Sequence, residues 1–184
     1  MNRYWALCAT ASICASLATA SVAQDGFSLT SLEIKDGGSL PAALKCTRDG
    51  GDGVSPPLAW SQVPEGTDSF AVIMYHYPKG TVAGRDTPSQ YWLLWNIPAD
   101  TRSIERGNPD SIGNEGSDKD ARQTGYTPPC SPAGAVHEYA IAVYALDAPL
   151  SNLPEYDDVS VDWETLMAGM YGKIIASAEV SFSN

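Results

Sequence analysis

The chain has 184 residues, with 11 lysines and arginines against 22 aspartates and glutamates, and a formal net charge of −11 at pH 7. So acidic a protein is repelled by nucleic-acid phosphates and by anionic bilayers, which disfavours binding to either. Its length suits one domain with its own core.

The chain opens on Met1-Asn2-Arg3, a short basic start, and runs from Tyr4 to Ala20 in apolar and small residues. Two small-x-small sites follow, Ala18-Thr19-Ala20 and Ser21-Val22-Ala23. Basic start, apolar middle and small-residue exit are the three parts of a secretory signal. Thr10, Ser12, Ser16 and Thr19 dilute the run, which falls short of the roughly 20 strongly apolar residues that span a bilayer. Residues 1–23 are therefore expected to be a cleaved signal peptide, with cleavage before Gln24 or, failing that, before Ser21. The protein is expected in the periplasm or outside the cell, with residues 24–184 as its single domain and no transmembrane segment.

In chain order, Phe27 to Ile34 alternates loosely, as a short strand does. Turn signals follow at Asp36-Gly37-Gly38, Asp49-Gly50-Gly51-Asp52-Gly53 and Ser55-Pro56-Pro57. Ser69 to Tyr77 is apolar on both faces, which predicts a central strand, and Tyr91 to Ile97 reads the same way until Pro98. Ala99 to Gly125 is a long irregular stretch, of a length that is usually functional or mobile. Two further strands are predicted over Glu138–Leu146 and Ile174–Phe182. Between them, Asp162 caps a short helix whose Trp163, Leu166, Met167 and Met170 share a face. Strands with few helices indicate a mainly β sandwich.

Two cysteines follow the leader, Cys46 and Cys130. In an oxidising compartment such a pair is more often a disulfide than a metal site or reactive thiol, although two unpaired thiols fit the sequence as well. The bond would close a loop of about 84 residues. The only histidines are His76, near the end of a strand, and His137, at the start of another. Tyr139 lies two residues beyond His137, so the two side chains point the same way. These polar groups are either hydrogen-bonded boundary residues or a binding site. No GxSxG, SxxK, HExxH, Walker or Rossmann pattern is present, and no nucleophile–base pair is visible. Two isolated histidines do not supply the three or four ligands of a zinc site. No catalytic residue, cofactor or metal is expected.

Read together, the local signals form a larger pattern. Asp36 to Trp60 reads DGGSLPAALKCTRDGGDGVSPPLAW, followed by Pro64-Glu65-Gly66-Thr67-Asp68, Trp95-Asn96-Ile97-Pro98, Tyr126-Thr127-Pro128-Pro129-Cys130 and His137-Glu138-Tyr139. In this order and spacing the segments resemble the phosphatidylethanolamine-binding protein (PEBP) family, in its bacterial YbhB/YbcL-type, Raf-kinase-inhibitor-like branch, from about Phe27 to Phe182. The resemblance implies two antiparallel sheets in a Greek-key sandwich with a few short peripheral helices. It also implies a small surface pocket for phosphate-like anions or phospholipid headgroups, and it sets the Cys46 and Cys130 segments on neighbouring loops.

Carried over position by position, the pocket would comprise His76, Pro78, Tyr91, Tyr126, Pro128, His137 and Tyr139. His76 stands where the family pattern has a pocket aspartate, and Tyr91 stands where it has a histidine. Loss of that carboxylate removes a repulsion against anions, and two imidazoles and two phenols offer N–H and O–H donors. The pattern therefore predicts a non-enzymatic protein that binds a small anionic ligand more tightly as pH falls. One alternative is a degenerate pocket that Tyr75, Tyr77 and Tyr91 fill. Another is a protein-interaction module that inhibits a protease or signalling enzyme, with the 99–125 loop as partner surface or pocket rim.

Overall fold

The computed structural model describes residues 26–109, 111–132 and 134–184. The proposed leader and its cleavage site lie outside the described residues. Nine strands are present, β1 (Ser28–Thr30), β2 (Gly38–Ser39), β3 (Leu58–Ser61), β4 (Ser69–His76), β5 (Ser89–Pro98), β6 (Ser103–Ile104), β7 (Asn114–Glu115), β8 (Glu138–Leu146) and β9 (Ile174–Ser183). The helix α1 spans Trp163–Met170, with two single-turn 3-10 helices at Ala42–Leu44 and Thr47–Asp49. The predicted mainly β, two-sheet sandwich is therefore present.

One sheet has the strand order β1-β3-β6 and the other the order β2-β9-β8-β4-β5-β7. Pairing is antiparallel throughout except between β2 and β9. The apolar content of β4 follows from its place between β5 and β8, where both its faces are covered. Phe70, Val72 and Met74 face the small sheet and meet Leu29, Trp60 and Ile104. Ala71 and Ile73 face the other way, under Leu150, Leu153, Val161, Leu166 and Met170. The large sheet is thus the middle of three layers, with α1 and residues 146–161 forming the third.

Helix α1 begins as its sequence predicts. The Asp162 carboxylate accepts the Thr165 N–H at 2.9 Å, satisfying a donor that the first turn leaves open. Leu166 and Met170 are buried, and Trp163 and Met167 pack at the edge of the same layer.

Two bulges in β5 set which of its side chains point inward. Phe70 and Val72 pair with Ile97 and Leu94, so β5 carries one residue more than β4 between these pairs. Asn96 takes a positive φ of 55° there, and its side-chain oxygen accepts the Leu150 N–H at 2.7 Å. A second shift falls between Met74, which pairs with Trp92, and Tyr75, which pairs with Gln90. A bulge re-aims side chains, and here both Tyr91 and Trp92 reach the inner core.

The 99–125 stretch differs from the unstructured loop the sequence suggests. It contains β6 and β7, and residues 116–125 fold back on themselves through a Ser117–Thr124 bridge. Gly116 permits the fold-back, because a Cβ at this position would sit 2.5 Å from the Val161 carbonyl oxygen. The Sγ atoms of Cys46 and Cys130 lie 2.00 Å apart, at disulfide distance.

Candidate functional site

His76 is the last residue of β4, and its register partner on β8 is Tyr139. The two rings lie 5.1 Å apart. Tyr139 in turn meets Tyr91 edge-on at 5.0 Å and stacks on Phe182 of β9 at 5.4 Å. His137, just before β8, lays its ring flat against that of His76, with centroids 4.6 Å apart and planes 5° from parallel. Four of the expected site residues, His76, Tyr91, His137 and Tyr139, therefore form one continuous cluster at the inner-face end of the large sheet.

The other three lie around it. Tyr126 meets Trp92 edge-on at 5.6 Å, and the next residue, Thr127, donates its N–H to the Tyr91 carbonyl at 2.7 Å. Pro128 lies over the loop carrying Gly53. Pro78 starts a turn, its carbonyl accepting from the Thr81 N–H at 3.0 Å and the Thr81 hydroxyl at 2.7 Å. Pro78 thus ends the His76 strand, and none of its described contacts is with the ring cluster.

The alternative in which Tyr75 and Tyr77 fill the pocket does not hold. Neighbouring residues of a strand point to opposite faces, so Tyr75 and Tyr77 lie on the outer face while His76 points inward. Tyr75 packs against Trp163 of α1 instead, at 5.1 Å. Of the three tyrosines, only Tyr91 belongs to the inner cluster.

His76 is 7% exposed, and its Nδ1 lies 2.8 Å from the Glu138 carbonyl oxygen. A carbonyl only accepts, so Nδ1 carries a proton and Nε2 is the free acceptor of the neutral ring. Burial pushes the His76 pKa below the ordinary histidine value. The bond to Glu138 opposes the shift, while His137 and Lys119 add to it. Burial raises the Tyr91 phenol well above its usual range, and the neighbouring Tyr139 phenol and the charge of Asp120 add to the shift. Burial likewise raises Tyr126. These phenols keep their protons at all physiological pH values.

Lys119 is the residue that sequence reasoning missed. Its Nζ lies 6.0 Å from the centre of the Tyr91 ring, and its charge reaches His76. The fold-back at 116–125 carries it there, with the Lys119 N–H held by the Thr127 hydroxyl at 3.1 Å. The neighbouring Asp118 is buried and accepts the Arg122 N–H at 2.8 Å. Lys119 also meets Asp120 at 3.4 Å, an exposed pair of little energetic weight.

Comparison with known proteins agrees with this architecture. A model of the phosphatidylethanolamine-binding protein family matches residues 30–183. The chain belongs to this family. A relative from Methanothermobacter thermautotrophicus, a UPF0098 protein, is 32% identical over 152 residues, covering 79% of this chain and 89% of its own. UPF0098 protein YbhB of Escherichia coli is 36% identical over 128 residues, covering 65% of this chain and 77% of its own. Two crystal structures superpose well. A PEBP homolog from Chlamydia trachomatis gives a TM-score of 0.72 at 30% identity, covering 86% of this chain and 97% of its own. Escherichia coli YbcL, described as a new member of the mammalian PEBP family, gives 0.71 at 28% identity with the same coverage.

Proposed function

We propose that this PEBP-family protein is an exported, non-enzymatic binding protein. It takes a small anion, of the phosphate or phospholipid-headgroup kind, against His76, His137 and Lys119. The observation that carries the reading is the parallel stack of the two imidazoles beside Lys119. A proton taken up by His76 adds positive charge to that of Lys119, and an anion at the rim compensates it. The groups around His76 are His137, Lys119, Tyr91, Tyr139, Asp120 and the Glu138 carbonyl. Asp120 pairs with Lys119, while Glu138 and Glu179 line a neighbouring cleft that His76 borders.

Anion binding raises the imidazole pKa values, so binding takes up protons and strengthens as pH falls. Calorimetric titration with inorganic phosphate tests this, with sulfate as a dianion whose charge is fixed across the range. Affinity for sulfate is expected to rise by about tenfold between about pH 8 and about pH 5.5. His76→Gln with His137→Gln is expected to abolish that rise. Sulfate affinity independent of pH, or no binding of either anion at the lower pH, defeats the reading.

Export and the Cys46–Cys130 bond belong to the same proposal. The small-residue exit before Gln24 supports the first. The 5.3 Å between the two Cα atoms, within reach of a disulfide, supports the second. A protein beyond the inner membrane experiences external pH directly, which gives the histidine pair something to sense.

A further inference from the structure

The outer face of the same strands carries a different chemistry. Behind the histidine cluster, β4, β8 and β9 enclose an open cleft of about 320 Å³, walled by Tyr75, Tyr77, Glu138, Ala140, Glu179 and Ser181, with His76 and Tyr139 at the border it shares with that cluster. The Tyr75 and Tyr77 rings stand at right angles, 87° between planes and 5.7 Å between centres. Tyr75 is backed by Trp163, and its hydroxyl donates to Glu179 Oε2 at 2.5 Å. Tyr144 lies in the same layer, where Glu179 and Tyr77 act on it electrostatically. A smaller recess of about 160 Å³ adjoins, sharing Glu138 and Ser181. There Asp36 accepts the Ser181 N–H at 2.9 Å and its hydroxyl at 3.0 Å. Among the described residues, no lysine or arginine lines either recess.

We propose that this outer cleft binds an organic monocation, an alkylated or quaternary ammonium. Perpendicular electron-rich rings with carboxylates at the rim form the arrangement that attracts such groups, because a ring face is negative and a diffuse cation is cheap to desolvate. An anion is disfavoured here, since Glu138 and Glu179 face it without compensating lysine or arginine. Ala140 and Ala83 keep part of the wall small and apolar, which leaves room for methyl groups. The net charge of −11 raises the local concentration of cations over the whole surface.

The inference does not rest on the anion reading, and its test keeps the two apart. Choline and tetramethylammonium are titrated against the protein by NMR, with 3,3-dimethyl-1-butanol as choline's neutral isostere. Saturable shifts are expected at the amides of Ala140 and Ser181, with none at His137. Affinity for choline should exceed that for the isostere by about tenfold. Glu179→Gln, which keeps an acceptor for the Tyr75 hydroxyl, should weaken choline several-fold, as should Tyr77→Ala, while Tyr77→Phe should retain binding. Equal affinity for choline and its isostere overturns the proposal. So do unsaturable shifts, or Glu179→Gln binding choline as tightly as the parent protein.

Discussion

The proposed Cys46–Cys130 bond makes a quantitative prediction. The two residues are separated by 84 positions, with Cα atoms 5.3 Å apart. In the chain-entropy model, closing a loop of that length removes about 4.5 kcal/mol of freedom from the unfolded chain. The native loops are held independently of the sulfurs. The Cys46 N–H donates to the Pro129 carbonyl at 3.1 Å, and Arg48 Nη2 donates to the Ser131 carbonyl at 2.7 Å. Reduction should therefore leave the fold in place and act mainly through the unfolded state. For a domain of this size, each kcal/mol moves the melting temperature by about 2–4 °C. Breaking the bond, by reduction or by Cys46→Ser with Cys130→Ser, should lower it by about 9–18 °C. The assay is thermal unfolding followed by circular dichroism with and without reductant, on protein recovered from an oxidising compartment. Its intact mass is expected to begin at Gln24 and to gain two hydrogens on reduction. Two titratable thiols before reduction, or a shift under about 2 °C on removing a bond shown to exist, refute the reasoning.

Two further outcomes follow from the site and the bulge beside it. Because His76 is held below its unfolded value of 6.5, the unfolded chain binds protons more readily than the native state as pH falls through about 6.5. Urea midpoints should decline there and level off below the folded value of His76, and His76→Gln should flatten that step. A step of unchanged size in the variant counts against a neutral buried His76. The lowered carboxylates Asp36 and Asp162, whose ordinary value is 3.8, act only at more acidic pH. Asn96→Ala places a Cβ-bearing residue without a side-chain acceptor at φ 55° and strands the Leu150 N–H. Chemical denaturation should show a loss of about 2–4 kcal/mol. Asn96→Asp, which keeps the acceptor, should lose clearly less; equal losses would mean that the hydrogen bond is not the cause.

Much of the architecture was legible because its signals are local. Long runs such as Ser69–Tyr77 and Glu138–Leu146 declare strands by composition, and Asp162 announces its helix by capping chemistry. The two-residue strands β2, β6 and β7 carry no period of their own and exist only because a longer edge offers partners. Leu58–Ser61 was hidden behind the prolines that precede it, although it forms the centre of the small sheet. At the site, alternation along β4 already separates His76 from Tyr75 and Tyr77, so their opposite faces could have been read from spacing alone. The bulge that turns Tyr91 inward could not, since an inserted residue leaves no mark in the pattern. Lys119 was equally hidden. A lysine between two aspartates becomes part of a site only when Gly116 lets the chain fold back.

The stacked imidazole of His137 is also tied to a point remote in sequence. The His137 backbone N–H donates to the Asn184 carbonyl at 2.8 Å, and the Asn184 backbone N–H donates back to the His137 carbonyl at 2.9 Å. The Ser131 hydroxyl completes the clasp by donating to the same Asn184 carbonyl at 2.8 Å. A change in the backbone at Asn184 therefore reaches the start of β8, where the histidine ring is carried.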